Sequence, residues 1–172
     1  MVWLVEASLE PPPGLIAFLD DARGEGWLWD SDIPVLERGV QAFLRRHVDL
    51  AAGRNLPAGW IPSTTYWLQD QKQQVVAMSN LRHELTPFLV NHGGHIGYFV
   101  KSDERGKGYG KQVLALTLVE AREMGIERAL LTVDSDNEPS IRVIERNGGI
   151  MEDERTDAES GTFRRYWIEL GR

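Results

Sequence analysis

The residues best suited to chemistry in this chain form one short stretch in which three glycines alternate with basic and aromatic side chains: Arg105, Gly106, Lys107, Gly108, Tyr109, Gly110 and Lys111. An apolar run precedes this stretch and a long run with helical periodicity follows it, so the pattern predicts a strand, a loop and a helix. Glycines allow a tight turn and leave backbone N–H groups uncovered. The start of a helix adds unpaired N–H groups and the positive end of its dipole. Together with three cationic side chains, these groups predict a binding site for an anion, above all a phosphate.

Two common phosphate-binding motifs do not fit this stretch. A P-loop requires Ser or Thr directly after its lysine, and neither Lys107 nor Lys111 is followed by one. A dinucleotide-binding turn has glycines spaced G-x-G-x-x-G directly after the strand, whereas here they are spaced G-x-G-x-G and begin several residues later. The residues themselves also allow a second interpretation, in which the loop binds nothing and only turns the chain. The glycines would then serve the geometry of the turn and the basic residues the solubility of the protein.

The composition excludes several classes of protein. A chain of 172 residues is long enough for one domain with a substantial core. Its net charge of −7 argues against a general nucleic-acid binder and fits a cationic, amine-bearing partner better. No apolar run approaches the roughly 20 residues that span a bilayer, so we expect no membrane partner. The first residues lack the basic and apolar regions of a signal peptide, and we therefore expect a cytoplasmic protein.

The periodicities along the chain predict one mixed α/β domain over residues 1–172, with the element order β-α-α-β-β-β-α-β-α-β-β. A short helix is predicted at residues 15–19 and a single longer one over residues 32–51, with a tryptophan-bearing loop between them. Residues 129–133 are a continuous apolar run, which is typical of a strand covered on both faces. Residues 153–161 are predicted to form a charged loop.

Two blocks of the sequence resemble motifs of the GCN5-related N-acetyltransferases (GNATs). The first is Arg105-x-x-Gly108-x-Gly110, which resembles the acyl-CoA pyrophosphate loop R/Q-x-x-G-x-G/A of that family. The second covers residues 134–149 and is similar to the family pattern D-x-x-N-x-x-S-x-x-[YV]-x-E-x-x-G. The resemblance covers most of residues 64–170. Within the family, the chain resembles a bacterial group of predicted acetyltransferases that carries GGHIGY before the loop and VIEKNGG after it.

The resemblance implies a GNAT-like acyl-CoA N-acyltransferase fold, in which helices flank a central mixed twisted sheet that is splayed at the cofactor site. It places the cofactor-binding core at residues 92–150 and implies that the arm of acetyl-CoA pairs with the splayed strand. The implied cofactor-binding residues are Phe99, Val100, Arg105, Gly106, Lys107, Gly108, Tyr109, Gly110, Lys111, Asn137 and Ser140. For Ser140, capping the first turn of a helix is an equally good interpretation.

The activity implied by the resemblance is transfer of an acetyl group from acetyl-CoA to a primary amine of a small molecule or peptide. The attack is direct, and no acyl-cysteine forms because the chain has no cysteine. Since amines are mostly protonated at neutral pH, a base must take up a proton. His95 is the candidate general base and Glu84 the alternative, followed by His83, while a purely structural role for His95 stays open. Many family members use a tyrosine acid where this chain has Ile144, so here the thiolate leaves unassisted or takes its proton from water.

Three other interpretations are weighed against this one. A non-catalytic acyl-CoA-binding or sensor module would carry the same loop. A nucleotide-phosphate enzyme is disfavoured by the glycine spacing. A metal site built from His83, His92 and His95 is disfavoured because strand residues three apart point to opposite faces, so we expect no metal.

The identity of the acceptor is not encoded in a recognisable motif. We expect it to be bound by loops within residues 20–32, 85–94 and 153–161. Exposed strands near the C-terminus are compatible with a homodimer.

Overall fold

The computed structural model describes residues 1–158 and 160–171 and, within them, six α-helices and seven β-strands. The helices are α1 (Leu15–Gly24), α2 (Ile33–Glu37), α3 (Val40–Ala51), α4 (Pro87–Asn91), α5 (Tyr109–Glu123) and α6 (Glu138–Arg146). The strands are β1 (Trp3–Glu6), β2 (Ser63–Gln69), β3 (Val75–Arg82), β4 (Ile96–Val100), β5 (Arg128–Asp134), β6 (Ile150–Asp157) and β7 (Gly161–Glu169). None of these helices is long and apolar enough to cross a membrane.

The strands form two antiparallel sheets that meet at one point. One sheet has the order β1-β2-β3-β4 and the other the order β5-β7-β6. A single bridge between Gly94 and Leu131 joins them, and β4 and β5 are not paired beyond it in the described part of the chain. The mixed α/β class and the splay between β4 and β5 are therefore confirmed, and the splay lies between two sheets whose own ladders are antiparallel.

The two faces of the first sheet are covered by different helices. Because successive strand residues point to opposite faces, Tyr66 and Trp67 of β2 belong to different cores. Tyr66 packs with Leu114 of α5 and Ile141 of α6, whereas Trp67 packs with Phe18 of α1 and other side chains of α1 and α3. This double coverage explains why β2 and β3 are buried over almost their whole length.

Three element boundaries differ from the sequence-based expectation. The helix predicted over residues 32–51 is divided into α2 and α3 at Gly39, whose φ of 116° is incompatible with a continuous helix. Helix α1 continues past the predicted residue 19 to Gly24, because Ala22 extends its buried face. Strand β6 occupies most of the predicted charged loop at residues 153–161, of which residue 159 lies outside the described residues.

Ion pairs between strands explain the last of these differences. Glu154 of β6 pairs with Arg164 of β7 at 3.1 Å, and Asp153 pairs with Arg165 at 3.0 Å. A strand that is held by cross-strand charge pairs has no alternation of apolar residues to reveal it in the sequence.

Candidate active site

The divergence of β4 and β5 leaves a cleft of about 260 Å³ between the two strands. Its lining includes Gly97 and Tyr98 of β4, Thr132 of β5, and Asn137 and Ser140 at the start of α6. Loop geometry and strand splay thus bring together residues that are about 40 positions apart in the sequence.

The closed end of the cleft is built from reciprocal hydrogen bonds between the two sheets. The N–H of His95 donates to the carbonyl oxygen of Leu130 at 2.7 Å, and the N–H of Leu130 donates to Nδ1 of His95 at 2.9 Å. The N–H of Gly93 donates to Oγ1 of Thr132 at 3.0 Å. The backbone approaches so closely here that a Cβ on Gly94 would lie 2.3 Å from the carbonyl oxygen of Leu130.

This geometry counts against His95 as a general base. Its Nδ1 already accepts a hydrogen bond, and only 7% of the residue is exposed. Burial, aided by the positive charge of Arg82, lowers the pKa of His95 to about 4. The imidazole is therefore held neutral within the junction of the two sheets, by which we mean the contacts of Gly93, Gly94 and His95 with Leu130, Leu131 and Thr132. This is the structural role that the sequence left open for His95. Glu84, the alternative, is exposed in the turn after β3 and does not line the cleft.

His92 is the histidine that lines the cleft. From the sequence it is considered as a possible metal ligand and as part of the segment 85–94 that is expected to bind the acceptor. Its ring packs against Phe163 with the ring centres 4.4 Å apart, and its Nδ1 lies 3.4 Å from Oγ of Ser160. The left-handed φ angles of Gly93 and Gly94, 110° and 61°, turn the chain between His92 and the junction. An imidazole that lines a cleft is positioned to serve as a general base towards a bound ligand.

The glycine-rich loop has the geometry that the sequence predicted. Gly108 precedes α5 with a left-handed φ of 87°, and the backbone N–H groups of Gly106 through Gly110 have no acceptor among the described residues. A row of free N–H groups at the start of a 15-residue helix attracts an anion. Gly110 has a second role, since a Cβ there would lie 3.3 Å from Val143, so the glycine allows α5 to pack closely on α6.

The cations around the loop differ in how they are engaged. Arg105 forms a 2.8 Å ion pair with Glu25, and its Nε donates to the carbonyl oxygen of Val100 at 3.2 Å. Lys107 pairs with Glu104 at 2.8 Å, and this hydrogen bond is the main cause that raises the pKa of Lys107. Lys111, exposed on the first turn of α5, has no carboxylate partner among the described residues and is the cation most available to a bound anion.

Phe99 and Val100 contribute to the site in a different way from the other predicted residues. Phe99 is buried against Phe18 and Trp27, at ring-centre distances of 5.7 and 5.5 Å, and neither Phe99 nor Val100 lines the cleft with its side chain. Their contribution is to support the strand and the loop. The cationic side chain of Arg105 lies over the Phe99 ring at 5.4 Å.

Asn137 and Ser140 both line the cleft, and their hydrogen bonds assign them separate tasks. Oδ1 of Asn137 accepts from the N–H of Ser140 at 3.2 Å and so caps α6, the task considered for Ser140. Oγ of Ser140 is instead hydrogen-bonded to the hydroxyl of Tyr98 at 2.5 Å. Burial raises the pKa of Tyr98 to about 12, so this phenol stays protonated at neutral pH. Tyr98 was not predicted as a site residue, because the sequence offers no sign that its ring faces α6.

The register of β4 directs unused backbone groups into the cleft. The carbonyl oxygen of His95 and the N–H of Lys101 both bond to β3. The odd-numbered residues between them therefore also direct their backbone N–H and C=O groups towards β3. The N–H groups of Ile96 and Tyr98 therefore point away from β3 and towards the cleft. Gly97 lines the cleft, and a Cβ on it would meet no atom within 4 Å. A larger side chain at this position would therefore occupy space that is open in the cleft.

These features fit the arm and pyrophosphate of an acyl-CoA. A narrow cleft with free strand N–H groups can pair with an extended amide-bearing chain, and the loop N–H groups can hold phosphate oxygens. Among the described residues, no three His, Asp or Glu side chains cluster as a metal site would require.

Comparison with known proteins gives one family and one fold. A model of the Acetyltransferase (GNAT) family matches residues 34–149, which is more than half of the chain. A comparison with curated proteins finds no match.

Many solved structures share the fold. The ribosomal-protein-S5-alanine acetyltransferase of Vibrio fischeri is 18% identical with a TM-score of 0.70, and the alignment covers 98% of this chain and 92% of that one. A GNAT-family acetyltransferase of Streptococcus pneumoniae is 17% identical with a TM-score of 0.69, covering 99% and 100% of the two chains. Mutant forms of the spermidine/spermine N-acetyltransferase SpeG of Vibrio cholerae are 12% identical with a TM-score of 0.66, covering 99% and 95%. Because all three identities are low, these similarities show the fold alone.

Proposed function

The chain belongs to the GNAT family of acetyltransferases, and we propose that it transfers an acetyl group from acetyl-CoA to a primary amine by direct attack. The observation that carries the proposal is the cleft between β4 and β5, together with the unpaired N–H groups of the loop that follows β4 in the chain. We place the cofactor-binding core at residues 92–150 and the protein in the cytoplasm.

The loop and the cleft divide the binding of acetyl-CoA between them. We assign the pyrophosphate to the N–H groups of Gly106 to Gly110, with Lys111 as the nearest unpaired cation. Arg105 fixes the loop through Glu25, and Lys107 and Tyr109 flank it. We assign the arm to the backbone of β4 and to the side chains of Asn137 and Ser140.

When bound, acetyl-CoA supplies the activated thioester, and the residues of the cleft manage the charges that the reaction develops. His92 takes the proton from the incoming ammonium group, directly or through water, in place of His95 and Glu84. The N–H of Ile96 or Tyr98 stabilises the negative charge that develops on the carbonyl oxygen. The hydroxyl of Tyr98 donates a hydrogen bond at the leaving sulfur, near the position where the family's tyrosine is replaced by Ile144.

Thermal unfolding with acetyl-CoA tests the binding half of the proposal. At a hundredfold excess over Kd, a ligand of the native state adds about 2.7 kcal/mol, which corresponds to roughly 5–10 °C for a chain of this size. We expect this shift in the wild type, a smaller one in Arg105→Glu, and none in Gly108→Trp. Arg122→Glu, with the same charge change at the far end of α5, is the matched control and should behave like the wild type.

A second assay tests turnover. Release of free CoA thiol, measured with a panel of amines, should occur only when both acetyl-CoA and an acceptor are present. Absence of any thermal shift at millimolar acetyl-CoA would remove the assignment of the loop, and competition by ATP would instead indicate a nucleotide site.

A non-catalytic acyl-CoA-binding module is the second candidate. It is favoured by one observation: neither His95 nor Glu84, the bases predicted from the sequence, faces the cleft. This alternative expects the same thermal shift with no CoA release for any amine in the panel.

A further inference from the structure

A second and larger cavity, of about 580 Å³, lies next to the cleft. Its volume is within the range of about 300–1,000 Å³ that is common for small-molecule sites. No residue lines both cavities, but their linings include residues that are close in the sequence: Trp29 and Leu89 line the larger cavity, and Trp27 and His92 line the cleft. The chain from Leu89 to His92 therefore passes from one lining to the other, so the turn at His92 is where an acceptor in the larger cavity would reach the cleft.

A cation without an anionic partner lines this larger cavity. Nη1 of Arg82 donates to the carbonyl oxygens of Gly93 and Gly94, at 3.1 and 3.0 Å, and no carboxylate lies within 4 Å of its guanidinium among the described residues. Burial lowers the pKa of Arg82, and no neighbouring carboxylate offsets this effect. An anion bound in the cavity would offset the cost of burying this unpaired charge. The planar guanidinium matches the geometry of a carboxylate, which it can bind with two parallel hydrogen bonds.

The remaining walls are aromatic and held in place by their own contacts. Trp29 and Trp60 pack edge to face with ring centres 5.4 Å apart, and Trp29 also stacks on the buried His47 at 6.3 Å. The guanidinium of Arg46 lies 5.5 Å from the Trp60 ring. At the mouth, Phe88 of α4 is 71% exposed. A rigid aromatic wall beside an unpaired arginine is suited to a ligand with an apolar body and an anionic end.

The cavity also carries a single unpaired negative charge. Asp30 lines it and has neither a hydrogen bond nor an ion pair among the described residues. Asp30 and Arg82 together give the cavity one charge of each sign, which favours a zwitterion over a ligand that carries only one charge.

We propose that this cavity, which we call the aromatic cavity, binds the acceptor as an α-amino acid with an aromatic or large apolar side chain, with its carboxylate on Arg82. This inference rests on the proposed function. Because Arg82 is bonded to the turn that follows His92, a carboxylate held there places the adjacent α-amine on the side of the turn that faces the cleft. The apolar side chain packs between Trp29, Trp60 and Phe88.

Matched ligands test the carboxylate without altering the protein. The probes are phenylalanine, phenylalanine amide and phenethylamine, which share the ring and the amine but differ in the carboxylate. In the wild type, KM for phenylalanine should be about 10- to 100-fold lower than for the amide, which is the usual worth of a charge-assisted hydrogen bond. An amide or amine bound as tightly as the acid would overturn the proposal.

Two variants test the role of Arg82. Arg82→Lys keeps the charge but loses the planar fork, so the ratio of KM for the amide to KM for the acid should fall towards one. Arg46→Lys is the matched control, since Arg46 is already paired with Asp32 at 2.7 Å and does not line the cavity, and it should retain the preference. A preference that survives in Arg82→Lys would also contradict the proposal.

Fluorescence separates the failure of this inference from the failure of the proposed function. Phenylalanine does not absorb where tryptophan is excited, so binding should change the emission of the wild type and not that of a double variant that carries Trp29→Phe and Trp60→Phe. A thermal shift with acetyl-CoA but neither an emission change nor turnover with phenylalanine would refute the amino-acid site and leave the proposed function standing. An emission change with phenylalanine but no thermal shift with acetyl-CoA would support the amino-acid site and refute the proposed function.

Discussion

His95 and Leu130 exchange hydrogen bonds in both directions, so an imidazole nitrogen takes the place of a backbone carbonyl at the point where the two sheets join. The N–H of His95 donates at 2.7 Å and its Nδ1 accepts at 2.9 Å. In a regular ladder the carbonyl oxygen of His95 would accept from Leu130, but here it accepts from the N–H of Arg82 at 2.8 Å. The side chain thereby closes one sheet onto the other and fixes where the cleft begins.

This pairing predicts a specific loss of stability in mild acid. The pKa of His95 is about 4 in the folded protein and 6.5 in an unfolded reference, so the unfolded state binds more protons between these values. The free energy of unfolding is therefore at its full value above pH 6.5 and falls as the pH drops towards 4, by up to about 3 kcal/mol. Denaturant unfolding between pH 7.5 and pH 4.5, at roughly half-unit steps, measures this loss.

His95→Asn is the control for the acid prediction, because the amide oxygen can still accept from Leu130 but does not titrate. We expect a shallower dependence on pH in this variant. Parallel curves for the variant and the wild type would mean that other groups cause the acid sensitivity.

Replacing Gly94 should destabilise the fold more than its backbone angle alone would. Gly94→Ala combines a φ of 61° with a Cβ that would lie 2.3 Å from the carbonyl oxygen of Leu130. Gly26→Ala has a similar φ of 69° but open space around the new Cβ, so it isolates the cost of the left-handed angle. That cost is about 1–2 kcal/mol, and we expect Gly94→Ala to exceed it clearly in denaturant unfolding. Equal losses in the two variants would show that the junction can relax.

Local patterns in the sequence were sufficient to predict the strand, the glycine-rich loop and the helix that follows it. Glycine spacing and apolar periodicity act over a few residues, and both were confirmed at Gly108 and α5. The direction of the histidines was not predictable in this way. His92 and His95 are only three residues apart, and the left-handed turn between them decides which one faces the cleft.

Partners that are distant in the sequence account for the other omissions. Tyr98 reaches Ser140 across 42 positions, and this pairing depends on how α6 sits against β4. The unpaired state of Arg82 is equally a property of the folded chain, since any of 26 acidic residues could in principle have been its partner. Neither relationship leaves a local signal in the sequence.

A side chain at position 97 should block acetyl-CoA without harming the fold. Gly97 lies within β4 at an ordinary strand φ, and a Cβ there meets no atom within 4 Å because it points into the cleft. Valine also favours strand conformation, so the melting temperature of Gly97→Val without ligand should equal or exceed that of the wild type. The thermal shift with acetyl-CoA should disappear, with Gly97→Ala giving an intermediate result. A full shift in Gly97→Val would place the arm elsewhere.

Tyr98 should contribute mainly to kcat. Since burial raises the pKa of Tyr98 to about 12, its hydroxyl acts as a fixed donor across the working pH range and adds no titration to the pH profile below about pH 10. Tyr98→Phe should lower kcat by about 10- to 100-fold and change KM for acetyl-CoA little. Ser140→Ala, which removes the partner but keeps the phenol, should cost less. An unchanged kcat with a raised KM would limit the hydroxyl to binding.

His92 should be required only while the acceptor amine is protonated. His92→Gln keeps the size of the side chain and loses the base, so kcat/KM near pH 7 should fall by about 100- to 10,000-fold. As the pH rises towards the pKa of the amine, the acceptor arrives already neutral and the deficit should shrink steadily. His95→Asn should instead retain kcat and lose stability, because its imidazole belongs to the sheet junction. If His92→Gln shows the same deficit at every pH, the side chain positions the acceptor and the base lies elsewhere; this outcome would contradict the assignment of His92.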